Sequence, residues 1–292
     1  MYVTLEPCNH YGQTPPCTKI IIKNKISKVF YSINDVDKKV KGKSLKILKS
    51  KSVIIKKGLL SKDMINFYKP YFFNRKNKIP YVTGKIAVSK NNLIFSKGTK
   101  RITDIHSDKL THFLRYQNDS LMISYKTLNK DNPRLDCRLE GLNKFSPKRV
   151  ILDKNLQMNT NSYIFNTANK HNTVIFYNKT NKLKILRLKK KGIQLIKSDL
   201  LKNENFDIKL ILKKLYVLGC RNLLVEGGND LSKSIIKNKL FNQFYLFKSP
   251  RILSKLSTYK EFNCLKDLSQ KYKSKKKINT QLGKDSIILY KK

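Results

Sequence analysis

Arginine, acidic side chains, cysteine and long apolar runs are all scarce in this chain, and each shortage excludes something. Only nine of the 63 basic residues are Arg, and the rest are Lys scattered along the whole length beside abundant Asn and Ile. Phosphate and base readers favour the bidentate Arg fork, so a pI near 10 does not make this a nucleic-acid binder. A composition biased toward Lys, Asn and Ile codons explains the charge instead. With 19 Asp+Glu the formal charge is +44. Self-repulsion at that charge predicts marginal stability, and the Lys-rich stretches at 189–191 and 273–277 read as solvated loops. No apolar run approaches the roughly 18 residues that would span a bilayer, so no membrane partner is expected. The opening Met1-Tyr2-Val3-Thr4-Leu5-Glu6 has neither the basic nor the apolar region of a signal peptide. Five cysteines, at 8, 17, 137, 220 and 264, are odd in number and mostly far apart. That argues against a disulfide scaffold and for a reducing, cytoplasmic setting.

What is present is enough for a folded chain. Apolar residues make up 40% and aromatics 10%, too much for disorder, and 292 residues predict about two domains. Short strands at 2–6, 29–33 and 53–55 alternate with helical patterns at 19–25 and 44–49, which reads as part of an α/β layer. The basic segment Asn74-Arg75-Lys76-Asn77-Lys78 marks a boundary, giving domains 1–75 and 76–292. The second domain opens with a strand at 80–88, followed by a helix at 105–116. Strands are expected at 121–124, 150–153, 173–177, 193–196, 223–225, 245–247 and 287–289. A helix over 206–219 ends at Gly219, and Leu231, Ile235 and Ile236 fit another.

Two constellations carry chemistry. In the first, Pro7-Cys8 follows a strand, and Cys17 comes nine residues on after Thr14-Pro15-Pro16. Zinc deaminases use such a pair of thiolates together with a His-x-Glu element. None of the four His residues (10, 106, 112, 171) begins a His-x-Glu. In the second, Leu223-Leu224-Val225 leads into Glu226-Gly227-Gly228 and then a helix. Glycines there admit a close ligand, and the helix start offers N–H groups to phosphate. Glu226 is one of five Glu in the chain, and a strand end is an expensive place for one without a partner. Arg115 and Arg138 are rare forks in a Lys-dominated chain, suited to gripping a phosphate. There is no Rossmann Gly-x-Gly-x-x-Gly.

The window from Tyr2 to Cys17, with Thr4-Leu5-Glu6-Pro7-Cys8, His10, Gly12 and Thr14-Pro15-Pro16-Cys17, closely resembles the deaminase motif of the bifunctional riboflavin-biosynthesis deaminase/reductase family. The resemblance continues through Pro80-Tyr81-Val82-Thr83-Gly84-Lys85-Ile86-Ala87-Val88-Ser89 and covers nearly the whole chain. It implies a partial cytidine-deaminase-like α/β domain followed by a dihydrofolate-reductase-like α/β reductase domain that uses NADPH. In the family the metal-binding His and the catalytic Glu precede this window, so Cys8 and Cys17 are expected to be an incomplete zinc site in a truncated deaminase domain. By the same resemblance Thr99, Arg115, Leu135, Arg138 and Glu226 match substrate positions. Thr127 and Asp131 match cofactor positions, as does the stretch Gly228, Asn229, Asp230, Leu231, Ser232, Lys233 and Ser234. Arg101 stands where the family has a Trp beside the cofactor, and Lys90-Asn91-Asn92 replaces the usual Leu-Asp-Gly. Asp131 is the candidate for proton transfer.

The implied activity is NADPH-dependent reduction of 5-amino-6-(5-phosphoribosylamino)uracil, a phosphorylated pyrimidine, by a cytoplasmic homodimer. Two alternatives stand beside it. Deamination would be added if a separate N-terminal piece supplied the missing half, and a basic nucleic-acid-binding protein is favoured by net charge alone.

Overall fold

A computed structural model describes every residue except Gln13, Lys100 and 279–282. The chain forms two compact units, Met1–Lys78 and Ile79–Lys292.

The first unit holds the strands β1 (Tyr2–Leu5), β2 (Lys28–Ile33) and β3 (Ile54–Lys57), paired in parallel in that order. Parallel neighbours need crossover connections, and here these contain α1 (Cys17–Lys23) and α2 (Lys43–Lys49). Ile21 and Leu48 from these helices close over Val29 and Val53. Two further helices, α3 (Ser61–Phe67) and α4 (Lys69–Asn77), finish the unit. The segment at 74–78, where the sequence puts the boundary, is mostly helical, and the first unit runs to Lys78. Asn74 is buried within α4, where its side-chain amide donates to the Pro70 carbonyl, and the helix stops at Lys78 in a left-handed conformation.

The second unit begins with β4 (Tyr81–Val88), β5 (Leu93–Ser96), α5 (Ile105–Tyr116), β6 (Ser120–Ser124) and α6 (Tyr125–Asp131). It continues through β7 (Lys148–Leu152), α7 (Tyr163–Asn166), β8 (Thr173–Tyr177), α8 (Lys182–Lys190) and β9 (Gln194–Lys197). Next come α9 (Ile208–Val217), β10 (Asn222–Val225), α10 (Asn229–Lys237) and β11 (Gln243–Lys248). The unit closes with β12 (Tyr259–Glu261), α11 (Leu265–Lys271), β13 (Ser274–Ile278) and β14 (Ser286–Lys291).

Among the described residues nine strands form one sheet in the order β13-β14-β11-β4-β10-β6-β7-β8-β9. All neighbours pair in parallel except β14, which is antiparallel to both β11 and β13. Both faces of the central strands are covered, as parallel sheets require. Met122, Val150, Val174 and Val225 point into one apolar cluster, while Ile123, Ile151, Ile175 and Leu224 point into the other. The period of two is thus visible in which cluster each successive residue joins. Gly84 in β4 has no room for a side chain: a Cβ there would collide with the edge of the Phe244 ring and lie 2.7 Å from Phe241.

Caps explain several helix starts. The Asp104, Ser124 and Asp207 side chains accept N–H groups at the first turns of α5, α6 and α9. Gly219 lies at φ 91° just past α9, the left-handed conformation that glycine adopts freely. The two Lys-rich stretches differ from the solvated loops expected of them: Lys189 and Lys190 end α8, and residues 274–278 form the edge strand β13.

Candidate functional site

A cavity of about 550 Å³ opens in the second unit, at the carboxyl ends of three adjacent strands. Lys85, Ile86 and Ala87 of β4 line it, with Ile123 and Ser124 of β6 and Glu226 just beyond β10. Open α/β sheets bind ligands in this place. Two further walls complete it. One is α6, whose Thr127, Lys130 and Asp131 share a face at i, i+3 and i+4 spacing. The other is a two-stranded antiparallel ribbon of β5 and β12, outside the main sheet, contributing Phe95 and Lys260. The Lys130 ammonium lies over the Phe95 ring.

Gly227 and Gly228 join β10 to α10, whose first residues Asn229, Asp230 and Leu231 also line the cavity. A Cβ on Gly228 would meet nothing within 4 Å, whereas one on Gly227 would press on Leu231 at 3.0 Å. Gly227 thus lets the helix pack tightly, and Gly228 leaves room in front of it. The helix has no side-chain N-cap, so its first N–H groups face the space that a phosphate would use.

The carboxylate of Glu226 is held by Arg115 in a two-bond fork, Nε to Oε1 at 2.7 Å and Nη2 to Oε2 at 2.8 Å. Arg115 reaches it because α5 turns a stripe of Ser107, Thr111, His112 and Arg115 inward. Its Nη1 donates to the Asp136 carbonyl at 3.0 Å. Burial alone would raise the Glu226 carboxyl; the Arg115 guanidinium overrides it and holds the group below its ordinary value. Burial pushes the Lys85 ammonium down, with the Glu226 charge opposing. Burial likewise raises Asp131 against the pull of Lys130 and Lys260. The cavity therefore combines an anchored carboxylate, a lysine that releases its proton more readily than usual, and an aspartate that keeps its proton more readily than usual.

Of the residues singled out from sequence, Thr127, Asp131, Leu135, Glu226, Gly228, Asn229, Asp230 and Leu231 line this cavity. Arg115 sits behind Glu226. Thr99, Arg101, Arg138, Ser232, Lys233 and Ser234 are not among its lining residues. Arg101 pairs with Asp108 at 3.0 Å, and the exposed Arg138 pairs with Asp136 at 2.9 Å. Lys85, Lys126, Lys130 and Lys260 were not picked out from the sequence. The signal for Lys85 was there: a lysine inside an otherwise apolar strand is costly unless it has work to do.

In the first unit Cys8 and Cys17 lie together, Sγ to Sγ 3.4 Å, and the Cys17 N–H donates to the Cys8 sulfur at 3.3 Å. Burial and Cys8 raise the Cys17 thiol, opposite to the deprotonation expected at a helix start. No group of three or more His, Cys, Asp or Glu side chains able to hold a metal occurs among the described residues. A structural zinc takes four ligands and a catalytic one three from the protein, so the residues present do not make up a zinc set.

Residues 80–274 match the RibD C-terminal domain family. The riboflavin biosynthesis protein RibD of Aquifex aeolicus is 31% identical over 294 aligned positions, covering 100% of this chain and 80% of the relative. That of Buchnera aphidicola is 30% identical, covering 97% of this chain and 79% of the relative. Acinetobacter baumannii RibD superposes with a TM-score of 0.83 at 23% identity, over 99% of this chain and 80% of that one. A Thermotoga maritima diaminohydroxyphosphoribosylaminopyrimidine deaminase/5-amino-6-(5-phosphoribosylamino)uracil reductase gives 0.79 at 24%, over 99% and 78%. Those two structures share the fold of this chain. With the family match over residues 80–274 and a relative above 30% identity along the full length, the chain belongs to the RibD family of riboflavin biosynthesis proteins.

Proposed function

We propose that the second unit is a reductase of riboflavin biosynthesis, which reduces 5-amino-6-(5-phosphoribosylamino)uracil with NADPH. The observation that carries this is the convergence of Lys85, Asp131, Glu226 and the open start of α10 on one cavity, in a chain of this family.

The residues fit the cofactor. The space in front of Gly228 and the N–H groups at the start of α10 suit a pyrophosphate. Thr127 across the cavity would complete its grip. When bound, NADPH supplies the hydride for a ring-opened ribosylamine. This chain's own residues hold the partner. A uracil ring presents carbonyl oxygens and N–H groups, to which Lys85 donates and from which Glu226 accepts. Arg115 fixes Glu226 in place. Three of the five N–H groups of its guanidinium go to Glu226 and Asp136, so its part is to hold that carboxylate from behind the cavity. Asp131, keeping its proton above the ordinary range, is the proton source for the amine nitrogen. Positioning of this kind accounts for most of what a protein adds to cofactor chemistry.

The test is NADPH oxidation followed with the ribosylaminouracil phosphate. Substrate-dependent turnover supports the reading; its absence, with no binding of NADPH, overturns it. The same reading makes the first unit a partial deaminase-like domain, and the protein a cytoplasmic homodimer that sedimentation would detect. For the deaminase part the support is the Cys8–Cys17 pair alone. Zinc at one equivalent per chain, by metal analysis of the purified protein, is what a working site there would require.

A further inference from the structure

We propose that His112 is a positioning residue of the reductase site: its ring nitrogen Nδ1 tethers the backbone of residues 136–138, and with it the Leu135 wall of the cavity, to α5. The inference rests on the reductase reading of the cavity and adds to it a side chain that lines no part of that cavity.

His112 is buried on the inward stripe of α5, one turn before Arg115. Its Nδ1 lies 3.1 Å from the Asp136 carbonyl oxygen and 3.2 Å from the Arg138 backbone nitrogen. A single ring nitrogen serves one of these at a time: bearing a proton it donates to the oxygen, and without one it accepts the N–H. The hydrogen-bond inventory decides between them. The Asp136 oxygen already accepts from Arg115 Nη1. A neutral ring with its proton on Nε2 therefore leaves both the Asp136 oxygen and the Arg138 N–H with a partner. A proton on Nδ1 gives the Asp136 oxygen two donors and strips the part-buried Arg138 N–H of its acceptor, at a cost that grows with its burial.

The surrounding charges act the same way. Burial, with Arg115 on α5 and Arg138 on the loop, pushes the imidazolium below its ordinary value; the Asp136 carbonyl and then Asp108, one turn earlier on α5, oppose them without reversing the direction. The Asp136 carboxylate is engaged by Arg134 and Arg138, and Glu226 beyond β10 is engaged by Arg115. The ring is thus neutral at pH 7 and in the state that holds Arg138.

The segment needs holding. Leu135 lines the cavity at φ 58°, a left-handed conformation that a branched side chain keeps only where its surroundings impose it. Two side chains one helical turn apart, Arg115 and His112, impose it from α5.

Hydrogen exchange of residues 134–138 in the full chain reads the tether directly. His112→Leu is expected to exchange about tenfold faster there, as loss of one protecting hydrogen bond implies. His112→Asn places an amide near the Nδ1 position and is expected to stay close to the parent. In turnover, His112→Leu raises KM for the pyrimidine substrate by about tenfold with kcat changed far less. The parent should show KM rising with acid, at a pH lower than an ordinary histidine would give because burial lowers this one, and His112→Asn should lose that inflection while keeping a low KM. Unchanged exchange in His112→Leu overturns the proposal, as does His112→Asn exchanging as fast as His112→Leu, which would assign the effect to ring volume. If the parent shows no turnover, the reductase reading fails, and the exchange comparison still decides the tether.

Discussion

Three buried or half-buried charged groups, Lys85 and the two partners of the Arg115–Glu226 fork, dominate the site at the scale of single residues. Their side chains in the fork are only 11% and 15% exposed, so removing one partner strands the other. Glu226→Gln is expected to lower stability by about 3–5 kcal/mol and to abolish most turnover. Replacing both partners by apolar side chains, Arg115→Met with Glu226→Leu, should recover much of that stability, because no uncompensated charge remains, yet leave the enzyme inactive. Denaturant melts set beside kcat/KM separate the two effects; a double variant as unstable as the single one would refute the account. Lys85→Met should behave differently. Burial already disfavours its ammonium, so stability should hold or rise, while kcat/KM falls about 10- to 100-fold from loss of a charge-assisted hydrogen bond of about 1.5–3 kcal/mol. Sequence made Glu226 legible because a carboxylate before Gly-Gly at a strand end has few innocent explanations. It did not reveal that Arg115 is bound to Glu226, since a contact across 111 positions leaves no local pattern.

Among the secondary-structure elements, long periodic segments were legible and short polar ones were not. The helix expected over 105–116 is α5 residue for residue, and the strand at 173–177 is β8. By contrast α8 carries Lys or Arg at five of its nine positions and β13 carries Lys at three of five, and solvation of such side chains reads as loop. Tertiary pairing decides them instead: β13 lies against β14 at the sheet edge with four of its five residues exposed, where lysines discourage pairing with another chain. The element that positions the site is β4, and its weak point is Gly84. Gly84→Ala should cost about 1–3 kcal/mol through overpacking against Phe241 and Phe244, or a fall in Tm of about 2–4 °C per kcal/mol in a unit of this size. Because the strand must shift to admit the methyl group, Lys85 beside it should move as well. KM should rise with the loss of stability, and a calorimetric scan with kinetics on one preparation checks both. A stable Gly84→Ala would mean that the two rings yield more easily than their packing suggests.

For the whole molecule the governing quantity is charge. Nineteen acidic side chains cannot give 63 basic ones a partner each, so at pH 7 most cations face other cations. The net repulsion acts on the compact state more than on the expanded one, and salt screens it within about 10 Å at 0.1 M ionic strength. Tm should therefore climb as sodium chloride rises from about 0.02 to 0.5 M. Attractive surface pairs push the other way, but each is worth about 0–1 kcal/mol, and few can exist. The pH dependence has the same sign. Lys85 and Lys130 are lowered by burial, so the folded state binds fewer protons than the unfolded one just below the ordinary lysine value of 10.5. Stability contributed by such groups rises with pH through that window. The same field that weakens the fold draws in anionic ligands: substrate and dinucleotide both carry phosphate, and the cavity presents Lys85, Lys126, Lys130 and Lys260. Salt is thus expected to raise Tm while lowering kcat/KM. A melting temperature that falls over the same range, measured in a buffer without phosphate, would show that ion pairs rather than repulsion set the stability of this protein.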